Sequence, residues 1–443
     1  MCLNDLMKTL SFAHGIRTQA TFIQNVISTF LVQLLQLFCL IATAAIIARW
    51  LGPEGKGKID LALLVPGMLS LFLSGGIGVA NVYFAGTRRL DTPILTENSV
   101  KFAIVSTIVG VLIVGALIIS GWLLVLVPGV GIWLIVLATV GLPFRLLSGH
   151  LSGILLGLQR IITVNMINLV QGLLTLVFTI LLVISLRMGL SGPILSSLGA
   201  GMVGLIILII ILRQEGGVFK PHRDPSAMYS ILSFGLKGHI GNVLQFFNYR
   251  LDMFLVNYFI GSASVGIYGV SVGFAEILWY FPNAVGFVIF PKATATRPEV
   301  MSGFTPKVFW ITLGVTALGG IGLVVLGKSL IQLIFSRDFV GSYLPMLALL
   351  PGVILLGGAK VLTNEIAGWG YPQYNSFNAG VALILTVILD LILIPRFGIL
   401  GAALASSIAY TVIFFTSVGF YLVVSRRVTE SNLEGDKQEM KQC

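Results

Sequence analysis

The sequence predicts an all-α integral membrane protein with about 12 transmembrane helices in two six-helix lobes. Of its 443 residues, 56% are hydrophobic and only 10% are charged, whereas soluble domains carry about 25% charged residues. The charges gather between apolar blocks of about 20 to 30 residues, the length that crosses about 30 Å of hydrocarbon. The second half of the chain also repeats motifs of the first half at a fixed spacing.

Twelve apolar blocks between charged clusters define the predicted spans. They cover residues 21–50, 59–85, 99–125, 132–158, 163–186, 193–212, 229–260, 264–290, 306–326, 343–368, 372–394 and 398–425. The polar segment after the sixth block contains Pro and Gly, which is typical of a linker. We therefore expect an N-terminal lobe (1–212), a cytoplasmic linker (213–228), a C-terminal lobe (229–428) and a charged, disordered cytoplasmic tail (429–443).

The distribution of Lys and Arg predicts the orientation of the helices. With both termini placed inside, the cytoplasmic segments hold about twice as many Lys and Arg residues as the outer loops, as membrane insertion requires. The outer set includes Lys56, placed in the loop between the first two helices. The same bias accounts for the net charge of +10, so no nucleic-acid partner is predicted.

An internal repeat relates the two halves. The end of the first helix, ARWLGPEGKG (Ala48–Gly57), aligns with NYFIGSASVG (Asn257–Gly266) when Gly52 is matched to Gly261, an offset of 209 residues. The same offset pairs Gly189 with Gly398, Gly192 with Gly401 and Ser197 with Ser406. Because each half has an even number of spans, both halves insert in one orientation, and a substrate site is expected between them. This organisation is typical of transporters.

These motifs resemble the polysaccharide transporter branch of the multidrug/oligosaccharidyl-lipid/polysaccharide exporter superfamily, which includes O-antigen flippases. The resemblance also rests on the Arg-x-Asp of helix 7 (Arg250, Asp252) and on VGIYGV at Val265–Val270. It covers essentially the whole chain and implies two six-helix lobes that form a V around a central cavity.

The same resemblance implies a function. It predicts a flippase of the bacterial plasma (inner) membrane that moves an isoprenoid-diphosphate-linked oligosaccharide by alternating access for O-antigen or exopolysaccharide synthesis. The implied partners are this lipid-linked substrate, the bilayer, and a polysaccharide polymerase and chain-length regulator of the same pathway.

Ionisable and polar side chains within the spans are the candidate substrate-binding residues, because charges at membrane depth usually face a bundle interior or a watery cavity. They are Arg250, Arg145, Lys237, Lys360, His239, Asn242 and Asn364. Arg and Lys would form charge-assisted hydrogen bonds with a diphosphate. On helix 7, His239, Asn242 and Arg250 share one polar stripe. The alternative, that these cations only pair across helices, stays open.

The intramembrane acids receive other roles. Asp252 lies about 200° around the helix from Arg250, so we expect it to pair structurally with a neighbouring helix. Asp390, near an outer helix end, is expected to be interfacial. Glu276, Glu365 and, at the mouth of helix 2, Asp60 are the ion-coupling candidates on position alone. No cofactor or metal is predicted, and the pattern does not distinguish Na⁺ from H⁺ or from the membrane potential alone.

Two other function classes compete with the flippase. A cation-coupled drug or metabolite exporter of the same superfamily would favour an acidic cavity, whereas four intramembrane cations are found here. A membrane enzyme would need a sizeable outer loop with acid–base groups, and the outer loops are short. The sequence therefore predicts a transporter that is not an enzyme.

Overall fold

The computed structural model describes the backbone of residues 2–217, 225–295 and 298–442. Side chains are described for 32–217, 226–294 and 301–428, apart from 237, 238, 287, 291 and 302. Fifteen α-helices run through these segments. They are α1 (Cys2–Leu73), α2 (Ile77–Gly86), α3 (Thr92–Ile119), α4 (Trp122–Leu126), α5 (Ile132–Thr139), α6 (Leu142–Gly157), α7 (Ile161–Thr179), α8 (Ser191–Gln214), α9 (Pro225–Phe259), α10 (Ser262–Glu276), α11 (Tyr280–Ala295), α12 (Pro298–Ile334), α13 (Tyr343–Gly368), α14 (Gln373–Phe397) and α15 (Ile399–Gln442).

The predicted multi-pass helical fold is confirmed. Within the described residues, 10 helical segments are long and apolar enough to cross a membrane. One of them, Val32–Leu73, contains predicted helices 1 and 2 together. The helix α9, which carries Arg250 and Asp252, corresponds to predicted helix 7. Every predicted span thus overlaps a helix of the described chain.

The predicted loop between helices 1 and 2 is shorter than expected. Two helices meet at Gly52, whose φ of 68° and ψ of −178° are not helical, and the second helix begins directly after it. Pro53 follows at the start of the next helical segment, a position that suits its fixed φ and missing N–H. Lys56 consequently lies within a helix and is 7% exposed, instead of in an outer loop.

Two further boundaries differ from the prediction. Predicted helix 4 is interrupted at Val140–Gly141, between α5 and α6. At the C-terminus, α15 continues to Gln442, so the backbone of the predicted disordered tail is helical. Most of the predicted linker, residues 218–224, lies outside the described residues.

The chain forms two compact units that do not follow the two sequence halves. Unit 1 comprises Met1–Ile47, Leu73–Val111 and Leu137–Leu236. Unit 2 comprises Ala48–Phe72, Leu112–Val136 and Lys237–Cys443. Segments of the first half thus pack with residues 237–443 inside unit 2. The division into lobes 1–212 and 229–428 stays a prediction.

Glycines hold the centre of unit 1 together. Gly149, Gly153 and Gly157 recur every four residues along one face of α6, and that face packs on α2. A methyl group on Gly153 would overlap the backbone of Gly78, and one on Gly157 would lie 2.7 Å from the Val82 carbonyl oxygen. Helices in lipid gain little from hydrophobic burial against each other, so small residues that permit close backbone approach favour their association.

Unit 2 contains a contact between the two copies of the repeated turn. A methyl group on Gly57 would overlap the Ser262 carbonyl oxygen, and one on Gly266 would overlap the Pro53 carbonyl oxygen. At the offset of 209, Gly57 matches Gly266 and Pro53 matches Ser262, so each half of the contact repeats the other. The two turns therefore pack around a local pseudo-two-fold axis.

Polar side chains reinforce this contact on both sides. Arg49 Nε donates to the carbonyl of Ile334 at 2.8 Å, and its terminal nitrogen donates to that of Leu333. Asn257 Nδ2 donates to the carbonyl of Pro128 at 2.9 Å. Arg49 and Asn257 lie near the ends of equivalent helices, so the repeat extends to hydrogen bonds that join segments of the two halves.

Helix packing also follows the repeat. In the first half α2 packs on α6 and α7 packs on α8; in the second half α11 packs on α13 and α14 packs on α15. The offset of 209 carries each helix of the first set onto the corresponding helix of the second. A shared helix order and shared partners support the internal duplication inferred from the sequence.

We expect Gly57→Ala and Gly266→Ala to destabilise the protein by about 1–3 kcal/mol each, because the added methyl groups must displace backbone. Gly273→Ala is the matched control, since it lies on the same helix as Gly266 and an added methyl there meets nothing within 4 Å. Thermal unfolding of the purified protein in detergent measures the difference. Unfolding of Gly57→Ala at the wild-type temperature would contradict the proposed packing.

Candidate functional site

The most developed polar site lies in unit 2, where α9 meets the end of α10. The guanidinium of Arg250 donates to both carboxylate oxygens of Glu276, at 2.8 and 2.9 Å. The planar fork of Arg suits such two-point pairing. The side chains are 30% and 23% exposed, so the pair is accessible from one side.

A break in the helix positions Glu276. It is the last residue of α10, and a single 3₁₀ turn, Ile277–Trp279, separates it from α11. The carboxyl end of a helix disfavours an acidic side chain, and the charge of Arg250 offsets this cost. The two halves of the broken helix thereby present Glu276 and Trp279 beside each other.

Lys360 of α13 joins the site. Its Nζ donates to Asn283 Oδ1 at 2.8 Å and lies 4.3 Å from the centre of the Trp279 ring. Both partners are neutral, although Glu276 is close enough to act on Lys360 electrostatically. Arg250 is therefore paired with a carboxylate whereas Lys360 is not, and Arg250, Glu276 and Lys360 together carry excess positive charge.

Three aromatic rings support these charges. Tyr249, Trp279 and Tyr410 are in mutual contact, with ring centres 5.1 to 5.8 Å apart. Trp279 Nε1 donates to the Val353 carbonyl at 3.1 Å, which fixes the ring beneath Lys360. The rings restrict the positions that the two cations adopt.

A second ion pair lies along the same face of α10. Lys56 pairs with Asp60 one helical turn away, and Asp60 lies beside Gly269 of α10. Gly269 and Glu276 are seven positions apart, so they lie on the same side of their helix. The structure thus brings Asp60, Arg250, Glu276 and Lys360 to one face of unit 2.

Other predicted site residues lie elsewhere. Asn364 Nδ2 donates to the Lys360 carbonyl at 2.7 Å and packs on Gly286 of α11. On α9, Asn242 is exposed, whereas His239 is buried with Nε2 at 3.3 Å from the Phe72 carbonyl oxygen. The Lys237 side chain lies outside the described residues. Arg145 is exposed and belongs to unit 1.

Asp252 faces away from Arg250. Its Oδ2 accepts hydrogen bonds from Tyr268 Oη at 2.6 Å and from Ser406 Oγ at 3.3 Å, and its Oδ1 accepts one from the Met253 N–H at 2.8 Å. At 2% exposed, this carboxylate joins α9 to α10 and α15. The geometry is that of a cross-helix anchor.

The expected interfacial position of Asp390 is wrong. Asp390 is 0% exposed because α14 continues to Phe397 and leaves this residue inside the packed helix. Neither of its carboxylate oxygens has a hydrogen-bond partner among the described residues, and it interacts electrostatically with Asp252. One turn earlier on each helix, Thr386 Oγ1 donates to Asn248 Oδ1 at 2.9 Å.

Sequence reasoning did not connect these four residues. The signal was present as two polar pairs at four-residue spacing, Asn248 with Asp252 and Thr386 with Asp390. Such spacing places each pair on one helix face. It does not indicate that α9 packs beside α14, and that contact is what brings the two pairs together.

Glu365 occupies a separate, buried position. It is 0% exposed, and neither carboxylate oxygen has a hydrogen-bond partner of normal geometry within the described residues. Its polar neighbour is the Thr305 hydroxyl of α12, which also lacks such a partner. Where the structure describes the chain, no group of three or more His, Cys, Asp or Glu side chains is placed to hold a metal ion.

Unit 1 has a polar cluster of its own. Asn81 Nδ2 of α2 donates to Ser99 Oγ at 2.7 Å and to the His150 carbonyl at 2.9 Å. His150 Nδ1 lies 3.4 Å from the Ser99 carbonyl oxygen. These bonds join α2, α3 and α6, so the buried His150 has a structural setting.

We expect Tyr268→Phe to destabilise the protein by about 1–3 kcal/mol, because it removes a hydrogen bond to a buried carboxylate. Tyr258→Phe is the control, since Tyr258 is 58% exposed on α9. The measurement is thermal unfolding in detergent. Equal unfolding temperatures for both variants would mean that Asp252 does not anchor the helices.

Comparison with known proteins places the chain in a family. The model of the family described as "Polysaccharide biosynthesis protein" matches residues 22–295. The probable flippase AglR of Haloferax volcanii is 28% identical over 226 residues, which are 50% of this chain and 46% of AglR. The probable low-salt glycan biosynthesis flippase Agl15 of the same organism is 24% identical over 49% of this chain and 46% of its own length. The matched stretch thus spans about half of each of these relatives.

Solved structures show the same fold. The lipid II flippase MurJ in an inward closed conformation is 17% identical, with a TM-score of 0.73 over 92% of this chain and 91% of MurJ. An inward-facing multidrug resistance MATE transporter is 16% identical, with a TM-score of 0.71 over 91% of this chain and 98% of that protein. The chain has the fold of the multidrug/oligosaccharidyl-lipid/polysaccharide superfamily and belongs to the polysaccharide biosynthesis protein family.

Proposed function

We propose that this protein is a flippase that moves an isoprenoid-diphosphate-linked oligosaccharide across the plasma membrane. Its family membership supports a role in polysaccharide biosynthesis. The relatives AglR and Agl15, each matched over about half of its length, are named as probable flippases. In a bacterium, the corresponding pathway would supply O-antigen or exopolysaccharide at the inner membrane, together with a polymerase and a chain-length regulator.

The observation that carries this proposal is the excess positive charge around Glu276. Arg250 and Lys360 both lie at predicted membrane depth, and only Arg250 is paired with this carboxylate. An uncompensated charge at that depth is energetically unfavourable, so an ionisable side chain there usually binds a partner of opposite charge. A diphosphate is that partner here, because it offers several oxygens for the guanidinium and ammonium groups.

The drug-exporter alternative is less favoured. An organic cation entering this site would meet Lys360, which has only neutral hydrogen-bond and ring partners. The likeness to MATE transporters concerns the fold and not the cargo. The named relatives are flippases or transporters, which supports transport without catalysis.

Alternating access is proposed to proceed through the contact between the repeated turns. Gly57 and Gly266 approach backbone to backbone, and small residues at the contact let it close tightly. With both termini cytoplasmic, as the Lys and Arg bias favours, these turns would lie at the outer side. Opening there, while the lipid tail stays in the bilayer, would release the headgroup outward.

For coupling to an ion gradient, we propose Asp390 in preference to Glu276 and Asp60. The latter two are already paired with Arg250 and Lys56. The Asp390 carboxyl is 0% exposed and has no hydrogen-bond partner among the described residues, so it would carry a proton or bind a cation, because an unpaired buried charge is strongly unfavourable. Glu365 is the second candidate, as a single buried carboxyl.

We expect Arg250→Ala to lower the flipping rate about tenfold or more, because a two-point contact to phosphate is lost. Arg250→Lys should restore part of the rate, since it keeps the charge without the fork. Arg337→Ala, which removes an exposed cation from the 3₁₀ segment before α13, is the control. The measurement is surface glycan at matched protein abundance; wild-type glycan in Arg250→Ala cells would exclude a role in the cavity.

Asp390→Asn should abolish the response of flipping to an imposed Na⁺ or H⁺ gradient in proteoliposomes, because the amide keeps the size of the side chain and removes its charge. Asp338→Asn, at an exposed position, should respond as the wild type does. A normal gradient response in Asp390→Asn would assign coupling elsewhere, with Glu365→Gln as the next variant.

A further inference from the structure

The fork of Arg250 is occupied by a group from the protein itself. Glu276 presents two oxygens to it at 2.8 and 2.9 Å, and two oxygens of one phosphate group would meet the fork in the same manner. A diphosphate that binds Arg250 must therefore compete with Glu276. The proposed function makes this competition part of every transport cycle.

The Arg250–Glu276 pair has the properties of an exchangeable contact. Its side chains are 30% and 23% exposed, so the pair is accessible to a ligand from one side. Asp252, two residues after Arg250, is in contrast 2% exposed and held by three hydrogen bonds. The chain thus has an anchored carboxylate and an accessible one on opposite sides of α9.

Glu276 also has room to change partner. It ends α10 at the 3₁₀ turn, where a change of side-chain direction does not disturb a continuous helix. Lys360 lies within electrostatic reach and now binds the neutral amide of Asn283. When an anion takes Arg250, the displaced carboxylate stays within electrostatic reach of Lys360.

We propose that Glu276 is a specificity-determining residue that occupies the phosphate position of Arg250 until a more highly charged anion displaces it. This inference rests on the proposed function and adds a criterion for selection. A single negative charge, as on an abundant phospholipid headgroup, gains little by replacing a carboxylate of equal charge. A diphosphate carries more charge and more acceptor oxygens, so it displaces Glu276 from Arg250.

The test compares two ligands on purified protein in nanodiscs made of neutral lipid. Farnesyl diphosphate is the diphosphate probe, and dihexanoyl phosphatidylglycerol is the probe with one negative charge. We expect Glu276→Gln to bind farnesyl diphosphate about fivefold more tightly or better, the size of a typical coupling between ligands. Its affinity for phosphatidylglycerol should rise by a larger factor, so that discrimination between the probes falls.

Three further variants separate this role from a structural one. Arg250→Ala combined with Glu276→Gln should bind no better than Arg250→Ala alone, because Glu276 acts through Arg250. Glu276→Asp, which keeps the charge, should discriminate as the wild type does. Glu215→Gln is the matched control, since Glu215 pairs with Arg160 at 2.8 Å in unit 1, and it should change neither affinity.

Flipping provides the second readout. Glu276→Gln should bind the diphosphate more tightly yet flip it more slowly, because the Glu276 carboxylate is no longer present to displace the bound diphosphate from Arg250. A substitution that only damaged the structure would lower both binding and flipping. Equal or weaker binding of farnesyl diphosphate by a folded Glu276→Gln would overturn the inference while leaving the flippase proposal intact if Arg250→Ala still weakens binding. Absence of diphosphate binding by the wild type, with normal glycan export in Arg250→Ala cells, would overturn the proposed function itself. If Glu276→Gln does not fold, loss of discrimination in Glu276→Asp would overturn the inference.

Discussion

The close approach of Gly57 and Gly266 is the constraint on which unit 2 depends. No side chain fits between the two turns, so the backbones of the first and second halves meet directly there. That approach carries Lys56 and Asp60 to the face of α10 that ends in Glu276. Arg49 and Asn257 add hydrogen bonds on either side. The charged site is thus assembled on a frame whose geometry glycine determines.

Much of the frame could be predicted from the sequence, for a physical reason. Hydrocarbon thickness fixes the length of a span, so apolar blocks indicate helices with little ambiguity. The match of Gly52 to Gly261 indicated equivalent turns. It did not indicate that these turns touch, because a repeat records similarity and not proximity. The charges of residues 51–58 indicate a loop of that length, whereas the chain needs only the non-helical Gly52 between the two helices and continues as helix from Pro53.

The site was predicted less completely. A helical wheel assigned Arg250 and Asp252 to different faces, and the structure places them against different helices. The wheel does not identify the neighbour, so Glu276 was considered for ion coupling without its partner Arg250. The interfacial prediction for Asp390 rests on its position near a helix end, which does not determine whether the side chain is buried among neighbouring helices. Burial depends on where the helix ends, and α14 ends seven residues later, at Phe397.

The offset of 209 identifies equivalent positions at which the two copies of the repeat carry different side chains. It carries Arg250 onto Ile41, Glu276 onto Gly67, Lys360 onto Leu151 and Asp390 onto Leu181. The two copies therefore share a backbone path, but only the second copy has ionisable side chains at these four positions. Substitutions at the four apolar positions are limited mainly by packing, whereas those at their charged equivalents are limited also by cargo. A duplicated frame of this kind can change what it carries by altering one copy while the other preserves the motion.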